Sequence, residues 1–138
     1  MGSNQAVAEK FRAAVEGGDL ATLNRFLVDS VTDDFVEEWP QSGERIVGRD
    51  AVMKLGQSYE KATGTSPRMT FRRMVGAGDL YVVEGTIDYG DGTPVSYIGV
   101  AEYRDGKIAK VTEYFANPFE APAWRADMVE RMEPAGVR

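Results

Sequence analysis

Two hydrophobic periodicities divide the chain. Near the N-terminus apolar residues recur at three- and four-residue intervals. Val7, Phe11, Ala14 and Val15 fall on one face of a helix predicted from Gln5 to Glu16. Gly17-Gly18 ends that helix, and Asp19 is placed to start a second, Leu20 to Leu27, with Leu20, Leu23, Phe26 and Leu27 as its apolar stripe. Residues 31–39 (VTDDFVEEW) read as a first strand, broken by Pro40. The polar turn Gln41-Ser42-Gly43-Glu44 returns the chain through Arg45-Ile46-Val47. Gly48 and Asp50 then introduce a third helix, Ala51 to Ala62, carrying Val52, Leu55 and Tyr59.

Beyond the loop Thr63-Gly64-Thr65-Ser66-Pro67 the period changes to two. Strands are predicted near 68–76, 80–90, 94–104 and 107–116. Asp91-Gly92 and Asp105-Gly106 supply the positive φ that tight hairpins need, and Gly76 to Gly78 does so less regularly. In the tail APAWRADMVERM, Trp124, Met128 and Met132 stand four residues apart, which predicts a short final amphipathic helix. Helices followed by a strand meander give an α+β class, with three helices of the N-terminal half on one face of a curved, mostly antiparallel sheet. No repeat, linker or low-complexity tract interrupts it. A single domain over 1–138 is expected, with its core in 5–120 and a C-terminal helix and tail in 121–138.

Composition narrows the chemistry. With 138 residues, 43% hydrophobic and 28% charged, the chain suits one folded domain rather than a disordered or fibrous one. A net charge of -6 argues against nucleic acid or anionic lipid as a partner. No apolar run approaches the roughly 18 residues of a membrane span. Met1-Gly2-Ser3-Asn4 lacks the order of a secretory signal, so a cytoplasmic location is expected. Cysteine and histidine are both absent. That excludes disulfides, thiolate nucleophiles, zinc-type sites and Ser-His or Cys-His chemistry, and no metal or cofactor is expected. Acid-base work falls to Asp, Glu, Tyr, Lys or Arg.

The segments FRAAVEGGDLATLNRFL, EEWPQSGERIVGRDAV and YRDGKIAKVTEYF, within residues 5–120, carry a resemblance to a known family. The chain resembles the SnoaL-like branch of the nuclear-transport-factor-2-like superfamily, which includes polyketide cyclases, ketosteroid isomerase and limonene epoxide hydrolase. The resemblance implies a cone-shaped α+β roll around one pocket, an apolar small molecule as partner, and a homodimer paired through the outer sheet face. Carried over residue by residue, the catalytic sets are incomplete. Where ketosteroid isomerase has a helix-1 tyrosine, this chain has Phe11. Its base aligns with Glu38 or Trp39, and its second oxyanion donor falls near Gly99 to Ala101, where no acid stands. Thr112-Glu113-Tyr114-Phe115 aligns with the Arg-Asp-Tyr-Phe of limonene epoxide hydrolase, which puts Glu113 at a water-orienting carboxylate. The other catalytic strand of that enzyme falls near Gly85 and Ile87. SnoaL-type cyclases use an acid and often a histidine.

Strand parity selects the candidate residues. Glu113 alternates with Ala109, Val111 and Phe115 on a largely apolar face, where burial would raise its affinity for a proton. Glu38 alternates with Val36 at the end of the first strand; the adjacent Glu37 and Glu38 must point to opposite faces. Glu38 and Glu113 are the catalytic candidates, and the sequence leaves open which of Glu37 and Glu38 takes the inward face. Trp39, fixed by Pro40, can cap a pocket. Tyr59, Tyr97 and Tyr114 offer hydroxyls, and Phe11, Leu55, Phe115 and Trp124 offer apolar lining. Glu84, Glu102 and Asp88 are read as surface groups, and one of the consecutive Arg72 and Arg73 should face away from the other. Two functions compete. One is carboxylate acid-base catalysis of isomerisation, cyclisation or water addition on an apolar, cyclic substrate. The other is a non-catalytic ligand-binding or assembly module of the same fold.

Overall fold

The computed structural model describes residues 3–17 and 20–132. The predicted roles of Gly18 and Asp19, the Leu20 side chain and the last six positions lie outside the described residues. Helix α1 spans Ser3–Glu16 and α2 Leu20–Ser30; strands β1 (Val31–Trp39) and β2 (Glu44–Val47) follow, then helix α3 (Arg49–Thr63). Strands β3 (Arg68–Ala77), β4 (Leu80–Asp88), β5 (Pro94–Arg104) and β6 (Lys107–Ala116) complete one six-stranded sheet, ordered β2-β1-β6-β5-β4-β3. Only β1 and β6 run parallel; the other neighbours are antiparallel. The fold is of the α+β class that the periodicities predict, with helices in the N-terminal half, and it is the roll that the resemblance implies.

Turn chemistry fixes the hairpins. Asp105 (φ 51°) and Gly106 (φ 80°) both take the left-handed conformation between Arg104 and Lys107, which face each other across the β5–β6 ladder. β4 ends at Asp88, short of the predicted residue 90, because Asp88 turns its carboxylate onto the Gly90 N–H (2.8 Å). Helix α3 stops where Gly64 adopts φ 73° and its N–H bonds the Glu60 carbonyl (2.7 Å).

The inner face of the sheet is built by alternation. Tyr81, Val83 and Ile87 on β4 and Val95, Tyr97, Ala101 and Tyr103 on β5 are buried, while Glu102 faces out. Against them pack Ala8, Phe11 and Val15 of α1, with Val31 and Phe35 from β1. Three local departures from strict alternation matter. Ala109 is an extra residue in β6, since Glu102 faces Lys110 but Tyr103 faces Ile108. Ile108 and Val111 are therefore both buried, and Ala109 turns to the outer groove that Val36 and Glu38 also line. Ala109 thus does not share a face with Val111, contrary to the simple parity. A second bulge at Arg72 brings both Arg72 (3.7 Å) and Arg73 (2.5 Å) to Glu84, so the two arginines do not face apart. β1 is irregular between Val31 and Val36, with Thr32 buried and Asp33 and Asp34 exposed.

The tail departs most. A 3-10 helix covers only Ala123–Met128, and the chain is extended at Val129 (φ -128°, ψ 154°). At three residues per turn, positions four apart do not stack. Trp124, Met128 and Met132 accordingly form no packed stripe; each is at least 70% exposed. No described helix is long and apolar enough to cross a membrane.

Candidate functional site

The sheet and the three helices enclose a cavity of about 200 Å³. Its walls are aromatic and aliphatic: Phe11 and Val15 from α1, Leu23 and Leu27 from α2, Leu55 and Tyr59 from α3, and Ile87, Tyr97 and Phe115 from the sheet. Leu55, 38% exposed, stands at its rim. Among the described residues, the carboxyl groups that reach it are Glu37 and Glu113, and no lysine or arginine lines it.

Register explains why these two acids meet. On β1 and β6, Glu37 lies opposite Val111 and Glu38 opposite Thr112, so Glu37 and Glu113 are diagonal neighbours on the inner face. Glu113 also pairs with Gly99 on β5, and Tyr97, two residues earlier, reaches it diagonally. Glu113 is thereby held at both oxygens. The Trp39 indole Nε1–H donates to Oε1 (2.8 Å), and the Tyr97 hydroxyl donates to Oε2. Indole N–H can only donate, so this is the bonding pattern of an acceptor carboxylate. Burial, and then the neighbouring Glu113, hold the Tyr97 hydroxyl well above the usual phenol range.

Glu37 is the other half of the pair. Burial pushes its carboxyl up to about 9, and the adjacent Glu113 adds to this through its charge and a hydrogen bond. Glu37 thus keeps its proton at neutral pH beside a carboxylate acceptor. Tyr89, also in the wall, is pushed up to about 12, first by burial and then by Tyr59 and Glu113. Hydroxyls near the pair are consequently donors. Among the described residues no group of three or more Asp or Glu side chains is placed to hold a metal ion.

Sequence-predicted residues divide accordingly. Phe11, Leu55, Tyr59, Tyr97, Glu113 and Phe115 line the cavity. Trp39 does not line it; its indole supports Glu113 from the side. Glu38 must be corrected. It points to the outer face, between Arg45 (2.5 Å) and Lys110 (2.9 Å), and the Lys110 hydrogen bond, followed by Arg45, holds its carboxyl below the usual range. Tyr114 (43% exposed) and Trp124 (75% exposed) also stand outside the cavity, the first by parity with Thr112, the second on a 3-10 helix that buries none of its residues. Tyr89 is a cavity residue that the sequence reading missed, and Glu37 is the member of the Glu37–Glu38 alternative that it did not choose. Each had a signal: Glu37 is two residues from Phe35 and Tyr89 two from Ile87, both large apolar residues of the inner face.

Gly99 makes room for the pair. A Cβ on Gly99 would stand 2.5 Å from the Tyr97 hydroxyl oxygen and 3.0 Å from its Cζ. Gly99→Ala should therefore displace the hydroxyl from Glu113 and cost about 1–3 kcal/mol of stability. Urea unfolding checks it, and the penalty should shrink in a Tyr97→Phe background, where no hydroxyl has to move. Equal penalties in both backgrounds would show that the Tyr97–Glu113 contact is not what Gly99 protects.

Comparison with known proteins agrees with this architecture. The family model described as a SnoaL-like domain matches residues 8–111. No curated protein matches the chain. Among solved structures, a nuclear-transport-factor-2-like protein of unknown function from Burkholderia xenovorans is 32% identical, with a TM-score of 0.75 over 96% of this chain and 100% of that one. A candidate ketosteroid isomerase from Kribbella flavida is 25% identical, with a TM-score of 0.77 over 97% and 92%. A candidate polyketide cyclase from Sinorhizobium meliloti, 21% identical with a TM-score of 0.60 over 79% and 94%, shares the fold.

Proposed function

The chain belongs to the SnoaL-like domain family, and from that premise we propose that it catalyses proton transfer on an uncharged, apolar, cyclic carbonyl compound, as an isomerase or cyclase. One observation carries the reading: a protonated Glu37 beside an acceptor Glu113 in an apolar cavity without a cation. The absence of lysine and arginine from the wall disfavours carboxylate or phosphate substrates, which would be desolvated without a counter-charge. The kinship with structures described as a candidate ketosteroid isomerase and a candidate polyketide cyclase is consistent with carbon-acid chemistry.

In the proposed step the substrate carbonyl displaces the Glu37–Glu113 hydrogen bond. Glu113 takes the proton from the α-carbon; the C–H electron pair becomes the enol double bond, and the carbonyl π pair moves onto oxygen. Glu37 meets that developing charge with its O–H, as a hydrogen bond or by full transfer. Trp39 and Tyr97 fix the Glu113 carboxylate, and each of its oxygens retains a lone pair for the incoming proton. Returning the proton to another carbon isomerises the substrate, and attack of the enol carbon on a second carbonyl closes a ring.

The test is deuterium uptake at the α-carbon of compact cyclic ketones such as 2-tetralone, followed by proton NMR. Exchange above the buffer rate is the expected result. Exchange at the buffer rate across a panel of such ketones would sink the enzyme reading and leave a ligand-binding module.

Pairing of two copies through the outer sheet face belongs to the same reading. Ile98 and Tyr114 lie opposite each other on β5 and β6, facing out and each more than 40% exposed. Sedimentation equilibrium at micromolar concentration should give a dimer, and Ile98→Glu a monomer. A wild-type monomer at that concentration would remove the pairing.

A further inference from the structure

The cavity has a neighbour. Between α2 and α3 lies a cleft of about 540 Å³, with Val28, Val31, Val52 and Met53 as apolar wall and Arg25, Asp29, Arg49, Gln57 and Glu60 as polar wall. Asn24, Leu27 and Gly56 line both spaces, so a partition one residue thick separates them. At Gly56 the partition has no side chain of its own on the α3 side. A Cβ there would stand 3.0 Å from Asn24 Nδ2 and 3.3 Å from its Cγ. The seam is closed by one flexible amide resting on bare helix backbone. Glycine inside a helix costs about 1 kcal/mol relative to alanine, and nothing in α3 itself asks for it: the φ of Gly56 is not left-handed.

We propose that cavity and cleft form one binding site for an elongated, uncharged ligand. Its apolar ring system occupies the cavity, and a hydroxyl- or ether-bearing tail passes between Asn24 and Gly56 into the cleft. This rests on the cavity being the ligand site, as set out above, and adds the length and polarity of the ligand.

The chemistry of the cleft sets the character of the tail. Its charges are balanced, Arg25 and Arg49 against Asp29 and Glu60, so no single sign dominates. Both arginines are already engaged. Arg49 bonds Asp33 and the Val28 carbonyl (3.4 Å), and Arg25 bonds the Thr22 hydroxyl (3.1 Å). An anionic tail would meet Asp29 and Glu60, and a purely alkyl tail would suit Val28, Val31 and Val52 but cover Gln57 and the charged groups without partners, whereas an ether chain offers methylenes to the first and oxygens to the second. A neutral hydrogen-bonding tail meets neither cost.

Two probes test this: 2-methoxynaphthalene, which fits the cavity alone, and 2-naphthyl tri(ethylene glycol) ether, which carries a neutral polar tail. Naphthalene fluorescence reads their dissociation constants. The tailed probe should bind wild-type protein at least about tenfold more tightly, a difference well outside fitting error. Met53→Trp, which fills the cleft outside the cavity, should erase that gain while leaving the Kd of the compact probe within about twofold. Gly56→Leu, which seals the seam, should erase the gain as well. Equal wild-type constants for the two probes, or a gain that survives both variants with wild-type circular dichroism, overturns the proposal. If neither variant folds, nuclear Overhauser contacts between the tail methylenes and the Met53 methyl decide it, and their absence is fatal. Failure of both probes to bind overturns the cavity reading itself, and this inference with it.

Discussion

Replacing Glu37 by glutamine should slow α-proton exchange by roughly 10²–10⁴-fold, the span usual for loss of a positioned acid or base. Glutamine keeps the volume and can still donate an N–H, but it has no proton to surrender. Glu38→Gln is the matched control one residue away. Its side chain faces Arg45 and Lys110 on the outer sheet face, so exchange should stay within about twofold of wild type. Glu113→Gln should be at least as damaging as Glu37→Gln. The amide can keep its oxygen on the Trp39 indole N–H only by turning its NH₂ to the Tyr97 hydroxyl, which must then accept instead of donating, and the variant has no carboxylate to take up the proton. The pH profile adds a second readout. With the Glu37 carboxyl pushed up to about 9, wild-type exchange should decline as pH rises through that value, and the decline should be missing from the residual activity of Glu37→Gln. Equal rates for Glu37→Gln and wild type would leave the pair without a catalytic role, however suggestive its geometry.

The choice between Glu37 and Glu38 shows what could be read from sequence. Helix and strand positions followed from period and turn residues, because amphipathic burial and left-handed glycines are local rules. Parity on β1 was harder. Val36 suggested that its apolar face carried Glu38, whereas the larger Phe35 is the buried residue (1% exposed) and carries Glu37 inward with it. A valine on an outer sheet face costs little, and a phenylalanine there would cost more, so side-chain size was the better guide to parity. On β6 parity gave Glu113 the cavity face, yet the bulge at Ala109 means that the alternation holds only from Val111 onward. A bulge leaves no reliable trace in a single sequence, and neither does the doubled arginine at Arg72 and Arg73. The support of Glu113 by Trp39 and Tyr97 depends on long-range pairing of β1, β5 and β6, which no local pattern encodes. In the tail a short helix forms as expected, but it is a 3-10 helix over Ala123–Met128, whose three-residue turn does not stack Trp124 and Met128 and which ends before Met132.

A buried protonated carboxyl also ties stability to pH, with a sign that can be stated in advance. The unfolded chain releases the Glu37 proton near 4.5, while the folded protein keeps it up to about 9. Across that window the folded state binds more protons, so the stability that this group contributes at low pH is lost as pH rises and reaches its floor above 9. Glu37→Gln removes the linkage. Its melting temperature should gain on that of wild type by at least about 5 °C between pH 5 and pH 9, measured by thermal unfolding in matched buffers. A constant gap between the two proteins would mean that Glu37 titrates as an ordinary surface acid and is not held in the cavity wall. The causes can then be separated with Glu113→Gln. Burial comes first among them, and the Glu113 charge and hydrogen bond come after it. Removing that charge should lower the Glu37 titration, followed by ¹³C NMR at its side-chain carboxyl carbon, without returning it to 4.5. A full return would make charge repulsion the whole cause and the apolar wall irrelevant to Glu37. A partial return is the outcome expected of a carboxyl that owes its proton mainly to the cavity around it.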